Sequence, residues 1–372
     1  MSESKANKSL SGYFDCMSTY PTLDCVKTHL RALLGKDNLI ANSSSSHYFG
    51  REAKSLIEET TEVILKYFNI SREDYSIIYC SSATEAAQTL KENFSYLKTK
   101  GISVSAHSCF MELINKDISA SLINIDVNGR FQSEKKNDVA YINPISHETG
   151  NIFSGINDVN SDKVVVDGSQ LVGKIPRVEM LSNHFQYSDC FFFSGHKIGA
   201  LTGVAPLLIK KSVKFKPLLL GGGQQTQLRA GTVNTLAIIS LKTALEYWHN
   251  SEAKILNHNS ELKNYFCEKI LSIENINLVN LFNCDQISNF TNIEVDESIN
   301  GDVFLIKLDE YRIAISRGSA CLSSSYKITP LLKSIGLNPK RAKNIFRVSF
   351  GIFHSKADVD HLVDVLKKCV TN

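Results

Sequence analysis

Between residues 50 and 250 two patterns alternate, and this alternation limits the fold more than any other feature of the chain. Short runs rich in β-branched and aromatic residues occur at 75–80, 102–106, 121–125, 139–143, 163–167 and 189–193. Between them lie helical patterns; residues 52–68 place Ala53, Leu56, Ile57, Thr60, Ile64, Tyr67 and Phe68 at helical spacing. Strands that alternate with helices pack as an α/β domain around a buried, mostly parallel sheet. Beyond about residue 265 the rhythm changes. Strands are predicted at 290–295, 312–316 and 345–350, with helices near 301–309, 326–335 and 355–368. This second part reads as a smaller α+β domain. The boundary falls in the long helical pattern at 233–270, giving a large domain over 21–260 and a small one from 1–20 and 261–372.

The 372 residues suffice for two or three cores, and 43% apolar content supports ordinary globular packing. Lys plus Arg total 41 against 38 Asp plus Glu, a net charge of +3. So small an excess argues against direct binding of nucleic acid. Runs of like charge such as Lys135-Lys136 and Lys210-Lys211 stop at two and read as solvated faces. No apolar stretch approaches the ~18 residues of a membrane span. The start, Met1-Ser2-Glu3-Ser4-Lys5, lacks the apolar core of a signal peptide. Cys369-Val370-Thr371-Asn372 is a poor prenylation signal. The nine cysteines are widely spaced and include no Cys-x-x-Cys pair, so neither a zinc knuckle nor a redox pair is expected. A reduced, cytoplasmic protein without a metal is the expectation.

Ligands of open α/β sheets bind beyond the C-terminal strand ends. After 75–80 comes Ser81-Ser82-Ala83-Thr84-Glu85, either a plain helix cap or a cradle for phosphate. His107 follows 102–106, and His147-Glu148-Thr149-Gly150 follows 139–143. The run Val164-Val165-Val166 closes on Asp167, with Gln170 three residues on. A carboxylate there is part-buried and needs a cation or strong hydrogen bonds. Phe191-Phe192-Phe193 leads into Ser194-Gly195-His196-Lys197. Alone, Lys197 reads as a surface lysine at a strand end; beside Asp167 the reading shifts to a desolvated, nucleophilic amine. A lysine for covalent attachment and an aspartate for a pyridine nitrogen are what pyridoxal phosphate requires. Ser82, Ala83, Thr84, Ser194 and His196 would then hold its phosphate.

Three further segments carry a family resemblance. Ser194-Gly195-His196-Lys197 resembles the lysine box of class V aminotransferase-type enzymes. Gly221-Gly222-Gly223-Gln224-Gln225 with Arg229-Ala230-Gly231-Thr232-Val233-Asn234 resembles the next box of cysteine desulfurases. Ser316-Arg317-Gly318-Ser319-Ala320-Cys321 is similar to the nucleophilic-cysteine loop of their group I branch. The matches run in order from Tyr13-Phe14-Asp15 to Arg347-Val348-Ser349-Phe350-Gly351.

The resemblance implies a fold-type I, pyridoxal-phosphate-dependent transferase with a mostly parallel seven-stranded sheet. It implies conversion of L-cysteine to L-alanine, with the sulfur held as a Cys321 persulfide and passed to an acceptor protein. Lys197 would bind the cofactor covalently and move the α-proton. Asp167 would meet the pyridine nitrogen and Gln170 the ring hydroxyl. His107 would stack on the ring and act as acid or base. Ala83, Thr84, Ser194 and His196 would bind the phosphate, and His147 stands where the family has a cofactor-binding asparagine. Arg347 and Asn42 would hold the substrate carboxylate. Thr232 would reach the cofactor of a second subunit, making the protein a homodimer. Iron–sulfur assembly, transfer-RNA thiolation and DNA phosphorothioation are all open as destinations of the sulfur. A related class V lyase or aminotransferase acting on another amino acid, such as selenocysteine, and a non-catalytic subunit are the alternatives. Four departures point to a divergent branch with a dedicated acceptor: Ser82 for glycine, His147 for asparagine, Ala200-Leu201-Thr202-Gly203 for a lysine-bearing loop, and Arg317 for serine. Arg317 beside the cysteine loop is a cation able to lower the thiol pKa.

Overall fold

The computed structural model describes residues 10–35, 39–317 and 328–371. The apolar runs form the larger of two sheets. Its strands are β1 (Tyr75–Cys80), β2 (Lys100–Ser103), β3 (Ala120–Ile125), β4 (Phe131–Gln132), β5 (Val139–Ile142), β6 (Val164–Asp167), β7 (Cys190–Phe192) and β8 (Ala205–Lys210). They lie in the order β1-β8-β7-β6-β5-β2-β3-β4. The pairs β7–β6, β6–β5, β5–β2 and β2–β3 are parallel, whereas β8 runs antiparallel to both β1 and β7. Register places Val166 opposite Phe191 and Ile78 opposite Leu207. Every residue of β5, β6 and β7 is buried, as helices on both faces require.

Two details of this sheet differ from the sequence-based expectation. The sheet has eight strands rather than seven, the extra one being two-residue β4, paired to β3 at the edge. Strand β8, Ala-Pro-Leu-Leu-Ile-Lys, gave no sequence signal. Leu-rich runs suit helices as well as strands, and Pro206 argues against a central strand. It is accommodated because burial against β1 and β7 outweighs one missing donor.

The flanking helices are α1 (Asp24–Leu34), α2 (Tyr48–Phe68), α3 (Ala83–Asn93), α4 (Ser108–Lys116), α5 (Arg177–Asn183) and α6 (Thr235–Ile270). Asn234 caps α6 by accepting from Ala237 N at 3.1 Å. Helix α6 serves two cores. Ala237, Ile238, Leu241 and Trp248 pack under the large sheet. Leu262, Phe266 and Ile270 pack under the second sheet.

That second sheet is antiparallel, in the order β11 (Ile345–Ser349), β10 (Phe290–Val295), β9 (Ile276–Val279). It is covered by α7 (Gly301–Glu310) and α10 (Lys356–Thr371), with the short α8 (Pro330–Ser334) and α9 (Pro339–Lys343) beside it. The predicted helix at 326–335 is only α8 among the described residues. Pro330 sets its start and the left-handed Gly336 (φ 73°) follows its end. The predicted strand at 312–316 is reduced to isolated bridges, Tyr13 to Ala314 and Ser316 to Arg347. Through these bridges the N-terminal segment joins the second core: Phe14 N donates to Ala314 O and Ser349 N to Phe14 O, both at 2.8 Å.

Gly168 follows β6 and donates its N–H to Phe192 O at 2.7 Å. A Cβ at this position would lie 2.0 Å from Cζ of the fully buried Phe191 ring. Gly168→Ala is expected to destabilise the fold by ~1–3 kcal/mol through overpacking. Urea unfolding followed by the fluorescence of Trp248, the one tryptophan of the chain, measures this. An unchanged midpoint would show that the Phe191 ring has room to move.

Candidate active site

Five chain segments leave the large sheet at one edge: after β1, β2, β5, β6 and β7. The start of β8 comes back to the same edge, because β8 is antiparallel to its neighbours. Met17 and Ser18 of the N-terminal segment and Arg347 of β11 close the space from the other side. Together they enclose a cavity of about 550 Å³.

Asp167 ends β6 and is buried at the base of this cavity. Its carboxylate accepts from Asn143 Nδ2 at 3.1 Å and from Ser169 N at 2.9 Å. Lys197 stands across from it in the turn after β7. Its Nζ donates to Met17 O at 2.7 Å, and the same carbonyl accepts Gln170 Nε2 at 3.0 Å. Burial, reinforced by the positive charges of Arg347 and Lys174, pushes the Lys197 amine down to about 8; Asp167 and Asp15 oppose the shift. Far more of the amine is therefore uncharged near neutral pH than in a solvated lysine.

The helix after β1 starts as a built cap. Ser82 Oγ accepts from Glu85 N at 3.2 Å, while the Glu85 carboxylate accepts from Ser81 N at 2.7 Å. Arg229 holds Glu85 from outside, with Nε at 2.9 Å and Nη2 at 3.2 Å. The Ala83 and Thr84 end of α3 thus faces the cavity with a helix N-terminus behind it. Ser194 and His196 line the same region. Burial, with Lys197 alongside, lowers the His196 imidazole to about 4, and its Nδ1 lies 3.2 Å from Thr19 Oγ1.

His107 and His147 meet edge to face, with ring centroids 5.7 Å apart. Burial first, then His107, Arg347 and Lys197, hold the His147 imidazole well below its ordinary value, so it is neutral. Its carbonyl accepts Arg347 Nη1 at 2.6 Å. The same guanidinium donates to Ser316 Oγ from Nε (3.0 Å) and Nη2 (2.6 Å). Ser316 in turn donates to Asp15 Oδ1 at 2.6 Å.

Four buried polar atoms in this cavity have no hydrogen-bond partner: Asn143 Oδ1, His147 Nε2, Ser169 Oγ and Gln170 Oε1. Unpaired buried polar atoms are costly, so the lining calls for a polar occupant. Pyridoxal phosphate fits. Asp167 would meet its ring nitrogen, His147 and Gln170 its ring hydroxyl, and Lys197 would attach it covalently. Ala83, Thr84, Ser194 and His196 would hold its phosphate. When bound, the cofactor supplies a protonated pyridine ring that takes up the electron pair of a bond broken at the substrate α-carbon.

The structure therefore brings together Lys197, Asp167, Gln170, His107, His147, Ala83, Thr84, Ser194, His196 and Arg347. Two other candidates lie elsewhere. Asn42 is exposed, its Oδ1 accepting from Ser44 N at 3.0 Å. Thr232 is on an exposed segment and does not line the cavity of its own chain. Cys321, with Ser319 and Ala320, lies outside the described residues. Asn143, Ser169, Met17 and Cys109 line the site without having been singled out in the sequence. For Asn143 a signal was present, since it closes a strand at the edge where Asp167 closes the next. Arg317, the cation next to the cysteine loop in sequence, has its guanidinium buried over the Phe346 ring and ion-paired to Asp302.

A parallel sheet with a lysine and an aspartate at adjacent strand ends, closed by an arginine from a second sheet, defines a pyridoxal-phosphate enzyme. The chain belongs to the class V aminotransferase family, whose model matches residues 12–362. It is similar to the cysteine desulfurase IscS of Dictyoglomus turgidum, 27% identical over 380 residues, 96% of this chain and 94% of that protein. Cysteine desulfurase 2 of Trichormus variabilis is 27% identical over 351 residues, 88% of this chain and 86% of that protein. The crystal structure of a NifS-like protein from Rickettsia africae shares the fold, with a TM-score of 0.84 at 24% identity over 96% of this chain and 99% of the other.

In protein freed of cofactor, the rate at which an acylating reagent labels Lys197 is expected to rise with pH through a midpoint near 8. Removing a neighbouring positive charge by Arg347→Gln moves the midpoint up. Removing the opposing carboxylate by Asp167→Asn moves it down. Peptide mapping by mass spectrometry reads all three, and a midpoint above 10 in the wild type would refute the desolvated amine.

Proposed function

We propose that this chain is a pyridoxal-phosphate-dependent cysteine desulfurase that releases L-alanine from L-cysteine and carries the sulfur as a persulfide on Cys321. The observation that carries the reading is the Arg347–Ser316 pair. The guanidinium suited to a substrate carboxylate is bonded to the residue that opens the Ser316–Cys321 run. Five residues of chain span at most ~18 Å, so Cys321 is never farther than that from Ser316. The named desulfurase relatives, similar over nearly their whole length, support the same reading.

In this scheme Arg347 orients the substrate by its carboxylate. Lys197 Nζ, in its uncharged form, takes the α-proton. The Cys321 thiolate attacks the substrate sulfur. The Cβ–S bond breaks as the new S–S bond forms, its electron pair staying with carbon; Cβ takes up the proton the Cys321 thiol released, Cα regains the proton held by Lys197, and alanine leaves. The persulfide then passes to an acceptor protein.

The protein is proposed to be a cytoplasmic homodimer, with Thr232 reaching the partner's cofactor. Support comes from the exposed position of Thr232 beyond the Arg229–Glu85 anchor and from the eight described cysteines, all free. Among the described residues no helix is long and apolar enough to cross a membrane. Residues 1–20 and 261–372 are proposed as the small domain that carries the cysteine loop.

Alanine and sulfide release from L-cysteine tests the reading. Lys197→Ala is expected to lower alanine release by about 10²–10⁴ and to lose the absorption of covalently bound cofactor. Cys321→Ala is expected to bind cofactor normally, with the spectrum still responding to L-cysteine, while sulfide release falls to background. A wild type that binds the cofactor yet yields no alanine, even with reductant, would end the desulfurase reading.

A further inference from the structure

His107 caps helix α4 with its own ring. Its Nδ1 accepts from Cys109 N at 3.4 Å, satisfying one of the free N–H groups of the first turn. Cys109 Sγ lies 3.3 Å from the same nitrogen and Ser108 Oγ 3.5 Å from it. A backbone N–H can only donate, so Nδ1 must offer a lone pair. In a neutral ring the proton is then on Nε2. The thiol is a donor too. Burial, with Asp167 adding to it, pushes Cys109 up to about 12, so it keeps its proton at neutral pH.

The surroundings keep the ring uncharged. Burial lowers its pKa and Lys197 acts in the same direction, with Asp167 opposing. His147, the other titratable group against the ring, is itself neutral. The positive end of α4 also disfavours a cation on its cap. With Nδ1 turned to the helix, Nε2 is the nitrogen left to the cavity that His107 and Cys109 both line.

We propose that Cys109 is a positioning residue. Together with the α4 backbone it fixes His107 as the Nε2–H tautomer, so that His107 serves the cavity as a hydrogen-bond donor while Lys197 is the proton acceptor of turnover. The consequence for turnover rests on the desulfurase reading above; the tautomer does not. Two nitrogen groups at one site are thus assigned opposite tasks by their environments. The thiol reinforces a single contact, so its loss should cost a modest factor rather than all activity.

The test uses full-length, cofactor-loaded protein with ¹⁵N-labelled histidine. Two-bond ¹H–¹⁵N correlation spectra distinguish the tautomers, and His107 is identified by the signal lost in His107→Gln. The wild type is expected to show a neutral Nε2–H ring at neutral pH. Cys109→Ala is expected to show a second tautomer and a kcat on L-cysteine lower by about fivefold, with KM little changed. Cys109→Ser, whose hydroxyl can donate in the same place, should restore both. An Nδ1–H or doubly protonated His107 in the wild type overturns the proposal. So does a Cys109→Ala protein that loses rate while its tautomer stays fixed. A wild type that shows the Nε2–H ring but releases no alanine supports the tautomer assignment and ends the desulfurase reading instead.

Discussion

Lys197 is an amine taken out of water, and no ion pair compensates it among the described residues. Its bond is to a backbone carbonyl, Met17 O. Two further cations, Arg347 and Lys174, add to the desolvation. Each of these features would be a defect in a structural lysine, since buried charge is costly. Together they keep the amine partly uncharged at neutral pH, the state in which it can act as nucleophile and base. The rest of the site is arranged around that state. Asp167 is kept at the floor by Asn143 and the Ser169 N–H, and the unpaired polar atoms of four neighbours await a polar ligand.

The two sheets divide the work. The large sheet brings five strand ends to one edge, which places a carboxylate, an amine and a helix N-terminus within one cavity. The second sheet supplies Arg347, which reaches Asp15 of the N-terminal segment through Ser316. Because Ser316 is held by both, the chain leading to Cys321 leaves from a fixed point. Helix α6 buries residues in both cores, so the two sheets are fastened to one rigid element. Rigid support of this kind is what a site needs when its groups must be held in place against their own repulsion.

Much of this was legible in the chain. Buried strands announce themselves by apolar runs, and a sheet of this class binds at the C-terminal strand ends. Asp167 and Lys197 could therefore be located just beyond the Val164–Val166 and Phe191–Phe193 runs. Strand β8 was not legible, because Pro206 and a Leu-rich run give the wrong local signal and only burial between β1 and β7 makes it a strand. The partners of Arg317 were not legible either, because tertiary packing sets its guanidinium against Asp302 and the Phe346 face.

By itself the sequence determined that β1, β2, β3, β5, β6 and β7 alternate with helices, the edge at which chemistry would gather, and the types of group found there. These depend on local patterns of apolar and turn residues. Only the tertiary structure decided which groups touch: Asn143 with Asp167, Ser316 with Arg347 and Asp15, Lys197 with Met17. These contacts join residues far apart in the chain, and they depend on strand order and on how the second sheet sits on the first. A period of two or 3.6 residues carries no record of either. The His107–Cys109 contact is close in sequence, yet it too waited on the fold. The ring becomes a helix cap only once the chain turns from β2 into α4 at that residue.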